Sequence, residues 1–598
     1  MIDQSRQAGW AAACRYSQIA DDTYDSWVAA DAPPLDSDTQ ALRLELANAA
    51  SRHTVTLAVA DAGSDEALSA TLASLAGQAI RNFDTLVVCQ PAREAAVARI
   101  LATLTPGLPN AWTIAAVDIL PSFELEQLAL ERATGRYFGV VFAGDRLAPM
   151  AVAAMQSALV RWPDAVLVYS DEDWIDEHDR RLKPRFKSAW DPEAQLGFDL
   201  LGSLCLIERT HALEAGGFRA VRCLAAHYDL HCRVALPLPS NQIRHVPAVL
   251  YHRRVPPLVS AQEMQTAIAA YSEAARQVAA DAGAAQSGGP VDIAPSPVAP
   301  FVNHVRRPVP TPAPKISVLV PTRDRAVLLR NCLRGLLEKT DYPDFEVIVL
   351  DNDSVEPATM ALFSELKGDP RVRVLRAPGA FNFSGINNLG VRATTGEVLL
   401  FLNNDIEVLH GSWMREMVGE VMRPDIGCVG AKLLYSDGTI QHAGVLLQAG
   451  PLAMHVCRTD DAMAAGTDGR LAGTHGYLAV TGACLAVRRS VFDAVGGFDA
   501  DHLPVAYNDI DLCLKVSDAG YRNICTPFAS LLHLESASRG LDDSQEKQAR
   551  ARSETNHMRL KWGDRFDQDP FHNPNLHLEW SAGERLASNA RQPWLLAR

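Results

Sequence analysis

The segment Glu397-Val398-Leu399-Leu400-Phe401-Leu402-Asn403-Asn404-Asp405 runs through five consecutive apolar residues and stops on two amides and a carboxylate. A run of that length predicts a strand buried on both faces, as in a parallel sheet covered by helices. Such a strand carries the residues after it to the carboxyl edge of the sheet, where open α/β folds place their ligands. Asn403, Asn404 and Asp405 bring oxygen donors there, suited to a hard divalent cation. Asn and Asp are also turn formers, so a plain strand-to-loop turn is the competing reading of these three residues.

Upstream of this segment, Ile316 to Val320 reads as a strand, Pro321-Thr322-Arg323-Asp324-Arg325 as a turn, and a helix opens from Leu328. Phe345 to Leu350 is a second strand ending in Asp351-Asn352-Asp353-Ser354, and Val372 to Leu375 a third. Alternation of this kind predicts α/β architecture around a parallel sheet. Further upstream, strands are expected at Val55 to Val59, Leu86 to Val88, Tyr137 to Phe142 and Ala165 to Tyr169, the last ending in Ser170-Asp171-Glu172-Asp173. An amphipathic helix from Ala261 to about Ala280 and a Gly/Ser/Pro-rich linker up to Lys315 separate the halves. Residues 1 to about 50 read as peripheral helix, with Trp10, Tyr16, Tyr24 and Trp27 as docking points and Pro33-Pro34 as a break.

The halves repeat one another in order. Phe83-Asp84-Thr85-Leu86-Val87-Val88 matches Phe345 to Leu350, and Thr134-Gly135 before an apolar run matches Thr395-Gly396. Gly216-Gly217-Phe218 matches Gly496-Gly497-Phe498, and Tyr228-Asp229-Leu230 matches Ile510-Asp511-Leu512. Self-similarity of this sort means two copies of one fold. The expected divisions are a helical segment 1–50, a first copy 51–255, a helix and linker 256–314, a second copy 315–540 and an extension 541–598.

Bulk properties agree. The 598 residues exceed one core, while 48% hydrophobic and 21% charged content is ordinary for globular protein. A net charge of −15 argues against a nucleic-acid binder. No apolar run reaches the length of a membrane span, and eleven scattered cysteines fit reduced thiols. The expectation is a cytoplasmic protein, peripheral at most at the inner face of the cell membrane.

Seven segments of the second half occur in the order of the family 2 glycosyltransferases: Pro321 to Arg325, Asp351 to Ser354, Leu402 to Asp405, Thr481-Gly482-Ala483-Cys484, Gly496 to Phe498, Asn508 to Leu514, and His533-Leu534-Glu535-Ser536. The half resembles their O-antigen rhamnosyltransferase branch in particular. Ile440-Gln441-His442-Ala443-Gly444-Val445 and Asp569 to Leu576 share that resemblance. It implies GT-A folds in tandem and an inverting transfer of sugar, rhamnose best, from a nucleoside-diphosphate donor such as dTDP-rhamnose or a UDP-hexose. The acceptor would be a hydroxyl of a growing, lipid-linked or free glycan.

Site roles come from the resemblance residue by residue. Asp405, Asn403 and His533 would hold Mg²⁺ or Mn²⁺, and Asp509 would be the general base. Thr322, Arg323, Asp351, Asn387, Asn388, Asn404, Gly482 and Arg539 would line the donor. Each has a plainer reading: Asp351 as a helix cap or Asx-turn, Asn387 and Asn388 as loop caps, Asp509 as an N-terminal helix acid, His533 as a hydrogen-bonded strand end. In a helix Asp509 and Asp511 stand about 200° apart, so only one can face the cleft. Asn508 stands where many relatives have glutamate.

The first copy lacks this chemistry. Cys89 falls at the place of Asp351, Phe142 at Asn403, Gly144 at Asp405 and His227 at Asp509, and only a one-residue slip would bring in Asp145. A degenerate copy kept for scaffolding, acceptor binding or pairing is expected. Cys223, His227, His231 and Cys232 mimic a zinc pattern but lack two separated ligand pairs. Two other classes compete for the whole chain: a glycan-binding scaffold, and a sugar nucleotidyltransferase, which needs a glycine-rich phosphate loop that Pro321 to Arg325 does not supply.

Overall fold

The computed structural model describes residues 21–30, 36–49, 54–61, 64–104, 112–116, 122–219, 225–255, 260–283, 289–448, 450–534, 544–579 and 583–587. Trp10, Tyr16, Pro33, Pro34, Cys223 and Arg539 lie outside these residues.

The first sheet contains β1 (Val55–Ala60), β2 (Asp84–Cys89), β3 (Trp112–Ala116), β4 (Tyr137–Phe142), β5 (Arg146–Leu147), β6 (Leu167–Ile175), β7 (Arg181–Arg185), β8 (Cys205–Glu208) and β9 (Ile243–Arg254). A hairpin comes next, β10 (Asp292–Pro295) and β11 (Asn303–Arg306). The second sheet opens with β12 (Ile316–Thr322), β13 (Phe345–Asp351), β14 (Val372–Arg376), β15 (Val398–Leu402) and β16 (Ile406–Val408). It continues with β17 (Ile426–Leu434) and β18 (Ile440–His442). A separate hairpin, β19 (Val445–Gln448) and β20 (Leu452–His455), intervenes before β21 (His475–Tyr477), β22 (Cys484–Arg488) and β23 (Arg522–His533).

The strand orders are β3-β2-β1-β4-β8-β6-β9-β5 and β14-β13-β12-β15-β22-β17-β23-β16. They coincide place for place, and each pairing has the same sense in both sheets. The repeat read from scattered residues is therefore a repeat of topology. One expectation needs correcting: the sheets are mixed. β8 and β22 run antiparallel to both neighbours, so parallel pairing holds only across the first four strands and between β6 and β9 or β17 and β23. A short antiparallel strand offers the same apolar run as a parallel one, and the residues alone do not report its direction.

In β15 all five residues are buried, and apolar layers cover both faces of the second sheet. The close approach of β12 to the turn before β15 needs glycine. A Cβ on Gly396 would come within 2.5 Å of Ser317 Oγ and 2.6 Å of its backbone nitrogen.

Two further expectations shift. β6 does not end at Tyr169 but continues through Ser170, Asp171, Glu172 and Asp173, all fully buried or nearly so. Their charges are matched inside: Asp171 by His245, Glu172 by Lys187 and Arg185, Asp173 by Arg181 and His252. The expected linker contains the β10–β11 hairpin. Asn303 accepts from Ser272 on the helix Ala261–Gly283 at 2.8 Å, and His304 and Arg306 meet Glu416 at 3.2 and 3.1 Å. Near the N-terminus, Tyr24 donates to Asp173 at 2.7 Å and Trp27 meets Phe186 edge-on.

Candidate active site

β15 ends at Leu402, and the next residues sit at the sheet's carboxyl edge. Beside them lies the last residue of β23, His533, because β16 pairs with β23 through Ile406 and His533. The Leu534 amide also donates to the Asp405 carbonyl at 3.1 Å. Asp405 Oδ1 thus stands 3.2 Å from His533 Nε2, and Asn403 Nδ2 is likewise 3.2 Å from that nitrogen.

Gln441 determines which His533 nitrogen is available. Gln441 Oε1 accepts from His533 Nδ1 at 2.5 Å, which leaves Nε2 as an acceptor that meets the Asn403 amide and faces Asp405. A side-chain acceptor on one ring nitrogen of this kind orients metal-ligating histidines. Asp405 Oδ1 is buried and has no hydrogen-bond partner. Turning the Asn403 amide over would place its oxygen at the same point. One carboxylate oxygen, one oriented imidazole nitrogen and one amide oxygen fit a divalent cation.

The carboxylate expected as base enters from the other side. Asp509 is the second residue of the helix Asn508–Asp518, which comes directly after Tyr507 in the left-handed conformation at φ 59°. The Gly482 amide donates to Asp509 Oδ2 at 2.8 Å and the Ile510 amide to Oδ1 at 2.9 Å. The neighbouring Ala483 carbonyl accepts from the Asn403 amide at 3.0 Å. The backbone of Gly482 and Ala483 therefore joins the strand end to the carboxylate. Burial pushes the Asp509 carboxyl above its ordinary value, against the pull of the Gly482 and Ile510 amides and Thr481. Asp511 faces away, accepting from Lys561 Nζ at 2.6 Å and Trp562 Nε1 at 2.9 Å.

Several residues expected at the donor are engaged elsewhere. Asn404 Nδ2 donates to Thr322 Oγ1 at 2.8 Å, which ties the strand end to the first turn. Asn388 spends both ends of its amide on the Phe498 backbone, at 2.8 and 3.1 Å, so it shapes the Gly496-Gly497-Phe498 turn and does not face a ligand. The Gly482 amide is taken by Asp509. Asn387 donates to the Phe383 carbonyl at 2.9 Å while its buried Oδ1 has no partner. Asp351 accepts from the Ser354 amide at 2.9 Å, making the Asx-turn, and from Arg376 at 2.8 Å. A carboxylate has about four acceptor positions, so about two remain. Arg323, which follows the Thr322 that pairs with Asp351, is exposed.

Sequence reasoning assigns no role to Gln441, although it stands inside the Ile440 to Val445 segment. His442, its neighbour, gave no signal either. It lies buried with Nδ1 2.8 Å from His455 Nδ1 and Nε2 3.5 Å from the Thr481 amide. Burial, with His455 and His533 adding to it, holds His442 well below the usual imidazole value, hence neutral.

In the first copy the equivalent place is closed. His227 is the second residue of the helix Ala226–Ala235, as Asp509 is of its own helix. Its ring packs edge-on against Phe142 with centroids 5.0 Å apart, and its Nε2 lies 2.8 Å from Glu126. Cys89 ends β2 and is fully buried. Asp145 is held by the Tyr251 hydroxyl and the Arg254 amide, both at 2.8 Å. The histidines of the zinc-like pattern turn to carboxylates, His227 to Glu126 and His231 to Asp199, and Cys232 lies against Gln195.

The second half is a mixed α/β sheet of the GT-A type, with Asp405, His533 and Asp509 gathered about its carboxyl edge. Residues 317–496 match the glycosyl transferase family 2 model, and this part of the chain is a domain of that family. The O-antigen biosynthesis protein RfbC of Myxococcus xanthus is 33% identical over 521 residues, which cover 87% of this chain and 40% of that protein. The uncharacterized protein y4gI of Sinorhizobium fredii is 38% identical over 452 residues, 75% of this chain and 49% of that protein. The chain thus spans about half or less of these two relatives. The O-antigen chain rhamnosyltransferase RfbN of Salmonella typhimurium is 28% identical over 214 residues, 35% of this chain and 62% of that one. Among solved structures, the mannosyltransferase PcManGT of Pyrobaculum calidifontis, in complex with GDP-Man and Mn²⁺, aligns with TM-score 0.30 and 19% identity over 48% of this chain and 71% of that one. Among the described residues, no helix is long and apolar enough to cross a membrane.

Proposed function

We propose that the second half catalyses inverting transfer of a sugar from a nucleoside-diphosphate donor to a hydroxyl of a growing surface polysaccharide, with rhamnose as the sugar. One observation carries this reading: Asp405 Oδ1 and His533 Nε2 converge at the sheet edge while Ala483 and Gly482 couple that edge to Asp509. The names of two relatives, an O-antigen biosynthesis protein and an O-antigen chain rhamnosyltransferase, support the substrate class.

Asp405, His533 and Asn403 would hold Mg²⁺ or Mn²⁺, which supplies positive charge where the departing diphosphate gains negative charge. Asp351, Thr322 and Arg323 would bind the nucleoside and its phosphates at the first turn. Asp509 takes the proton of the acceptor hydroxyl as its oxygen bonds to the anomeric carbon and the bond to the diphosphate breaks. A carboxyl raised by burial is a stronger base once ionised, which suits that task. Arg539 remains proposed as a phosphate contact.

The first half is proposed as an inactive copy. Phe142 and His227, at the places of Asn403 and Asp509, pack edge-on against each other. The proposed role of this half is scaffolding, acceptor binding or pairing, with the protein at the inner face of the cell membrane.

The test is a screen of nucleotide sugars for protection against thermal unfolding with Mg²⁺ or Mn²⁺, followed by donor hydrolysis and transfer assays. dTDP-rhamnose should raise the melting temperature only with metal present, since only a ligand bound to the folded state stabilises it. A shift with a UDP-hexose and none with dTDP-rhamnose removes the rhamnosyl assignment. No hydrolysis of any donor leaves a scaffold.

A further inference from the structure

Away from the candidate active site, the turn after Gly496-Gly497-Phe498 presents Asp499 and His502, and the C-terminal helix Gln545–Trp562 brings His557 to meet them. One ligand atom from each lies within 4.8 Å of the others. His502 Nδ1 is 3.1 and 3.2 Å from the two Asp499 oxygens, and His557 Nε2 is 3.5 Å from Asp499 Oδ2. The edge of a tetrahedral zinc site, with bonds of about 2.0–2.2 Å, is about 3.3–3.6 Å, so these atoms already stand close to ligand spacing.

One feature separates the trio from an ordinary surface ion pair. Both imidazoles direct a nitrogen at one carboxylate, and because the rings stack 9° apart with centroids at 4.5 Å, the exposed His502 ring swings out of the stack for both lone pairs to meet on one ion. His557 Nε2 is closed off from solvent yet makes no hydrogen bond. A shielded imidazole nitrogen facing a carboxylate without bonding to it is a place where a cation completes the set.

We propose that Asp499, His502 and His557 form a divalent-metal site of the two-histidine, one-carboxylate kind, suited to Zn²⁺ and independent of the transferase reading. The donor set of two nitrogens and one oxygen selects a borderline cation over Mg²⁺, which prefers oxygen. His502 has 60% of its side chain exposed, so the ion reaches the site from solvent and a fourth position is open to water. Its role is a clamp. One turn before His557, Glu554 accepts from the Val505 and Ala506 amides at 2.8 and 3.0 Å, and one turn after it Lys561 and Trp562 hold Asp511. The metal would fasten the same helix to the start of the segment that leads to Asp509.

Calorimetric titration of the full chain with Zn²⁺ tests this, using Asp405→Asn/His533→Gln as background to silence the other candidate ligands. One zinc should bind per chain and raise the melting temperature, and Co²⁺ should give ligand-field bands of nitrogen and oxygen coordination. His502→Ala, which removes a ring that is 60% exposed together with its stack on His557, should weaken zinc at least about 100-fold and abolish those bands. Unchanged zinc affinity after His502→Ala, or no zinc binding in the background chain, overturns the proposal.

Discussion

At the scale of single residues, the site depends on which atoms are left unsatisfied. Asp405 Oδ1 is a buried acceptor without a hydrogen bond, and Asp405→Asn removes its charge at nearly constant shape. Transfer should fall by about 10²–10³-fold while the melting temperature without ligands hardly moves, read from initial rates and thermal scans. Any second transfer activity surviving in that variant would contradict an inactive first half. Asp509→Asn should cost about 10²–10⁴-fold. Because burial raises the Asp509 carboxyl, the wild-type rate should decline on acidification from a higher pH than an ordinary aspartate gives, and that limb should vanish in the variant. Gln441→Leu frees His533 to turn or change tautomer, and should weaken metal binding by about 10–100-fold with the site residues untouched.

At the scale of elements, close approach and clamping matter more than propensity. Gly396→Ala would drive a methyl into Ser317, which is backbone-paired in β12, so the edge between β12 and β15 must open. A loss of about 1–3 kcal/mol is expected, measured by denaturant unfolding. The buried runs of β12, β13 and β15 were legible because three to five consecutive apolar residues, Val318 to Val320, Val347 to Leu350 and Val398 to Leu402, stand between turn formers. The antiparallel sense of β22 was not, since direction is decided by pairing partners. The extension of β6 through Asp171, Glu172 and Asp173 was equally hidden, because three acids read as a strand's end until their partners from β7 and β9 are in place.

The whole molecule is one packed pair of copies. Glu193 of the first half is buried among Arg423 and Arg522 of the second and Arg307 of the segment between them, and Asn573 reaches back to Asp171 at 2.9 Å. Burial alone would raise the Glu193 carboxyl, but the guanidinium charges hold it well below the usual range. Glu172 behaves alike: burial raises it, and Lys187, Arg185 and Arg253 bring it down to about 2 from 4.5. A lowered carboxyl contributes stability that is present above pH 4.5 and lost as pH falls toward 2, about 3 kcal/mol here. Glu172→Gln should remove that part of the acid slope in equilibrium unfolding, and lower stability at neutral pH by leaving Lys187 buried without its carboxylate.

The sequence by itself determined the core strands β1, β2, β4, β12, β13, β14 and β15, the order of the two copies, and the residue types that could do chemistry, because burial periodicity and ligand chemistry are properties of short segments. It also marked the first copy's departures at Cys89, Phe142, Gly144 and His227, which needed only an alignment of the halves. The tertiary structure alone decided which polar groups are spent and which are left. Asn388, Asn404 and Gly482 carry the right chemistry but are satisfied by Phe498, Thr322 and Asp509. Asp405 and His533, far apart in the chain, become neighbours through the pairing of β16 with β23, and Gln441 supplies the hydrogen bond that turns the ring. A hydrogen bond is made by whatever the fold brings within about 3 Å, and that distance is not written along the chain.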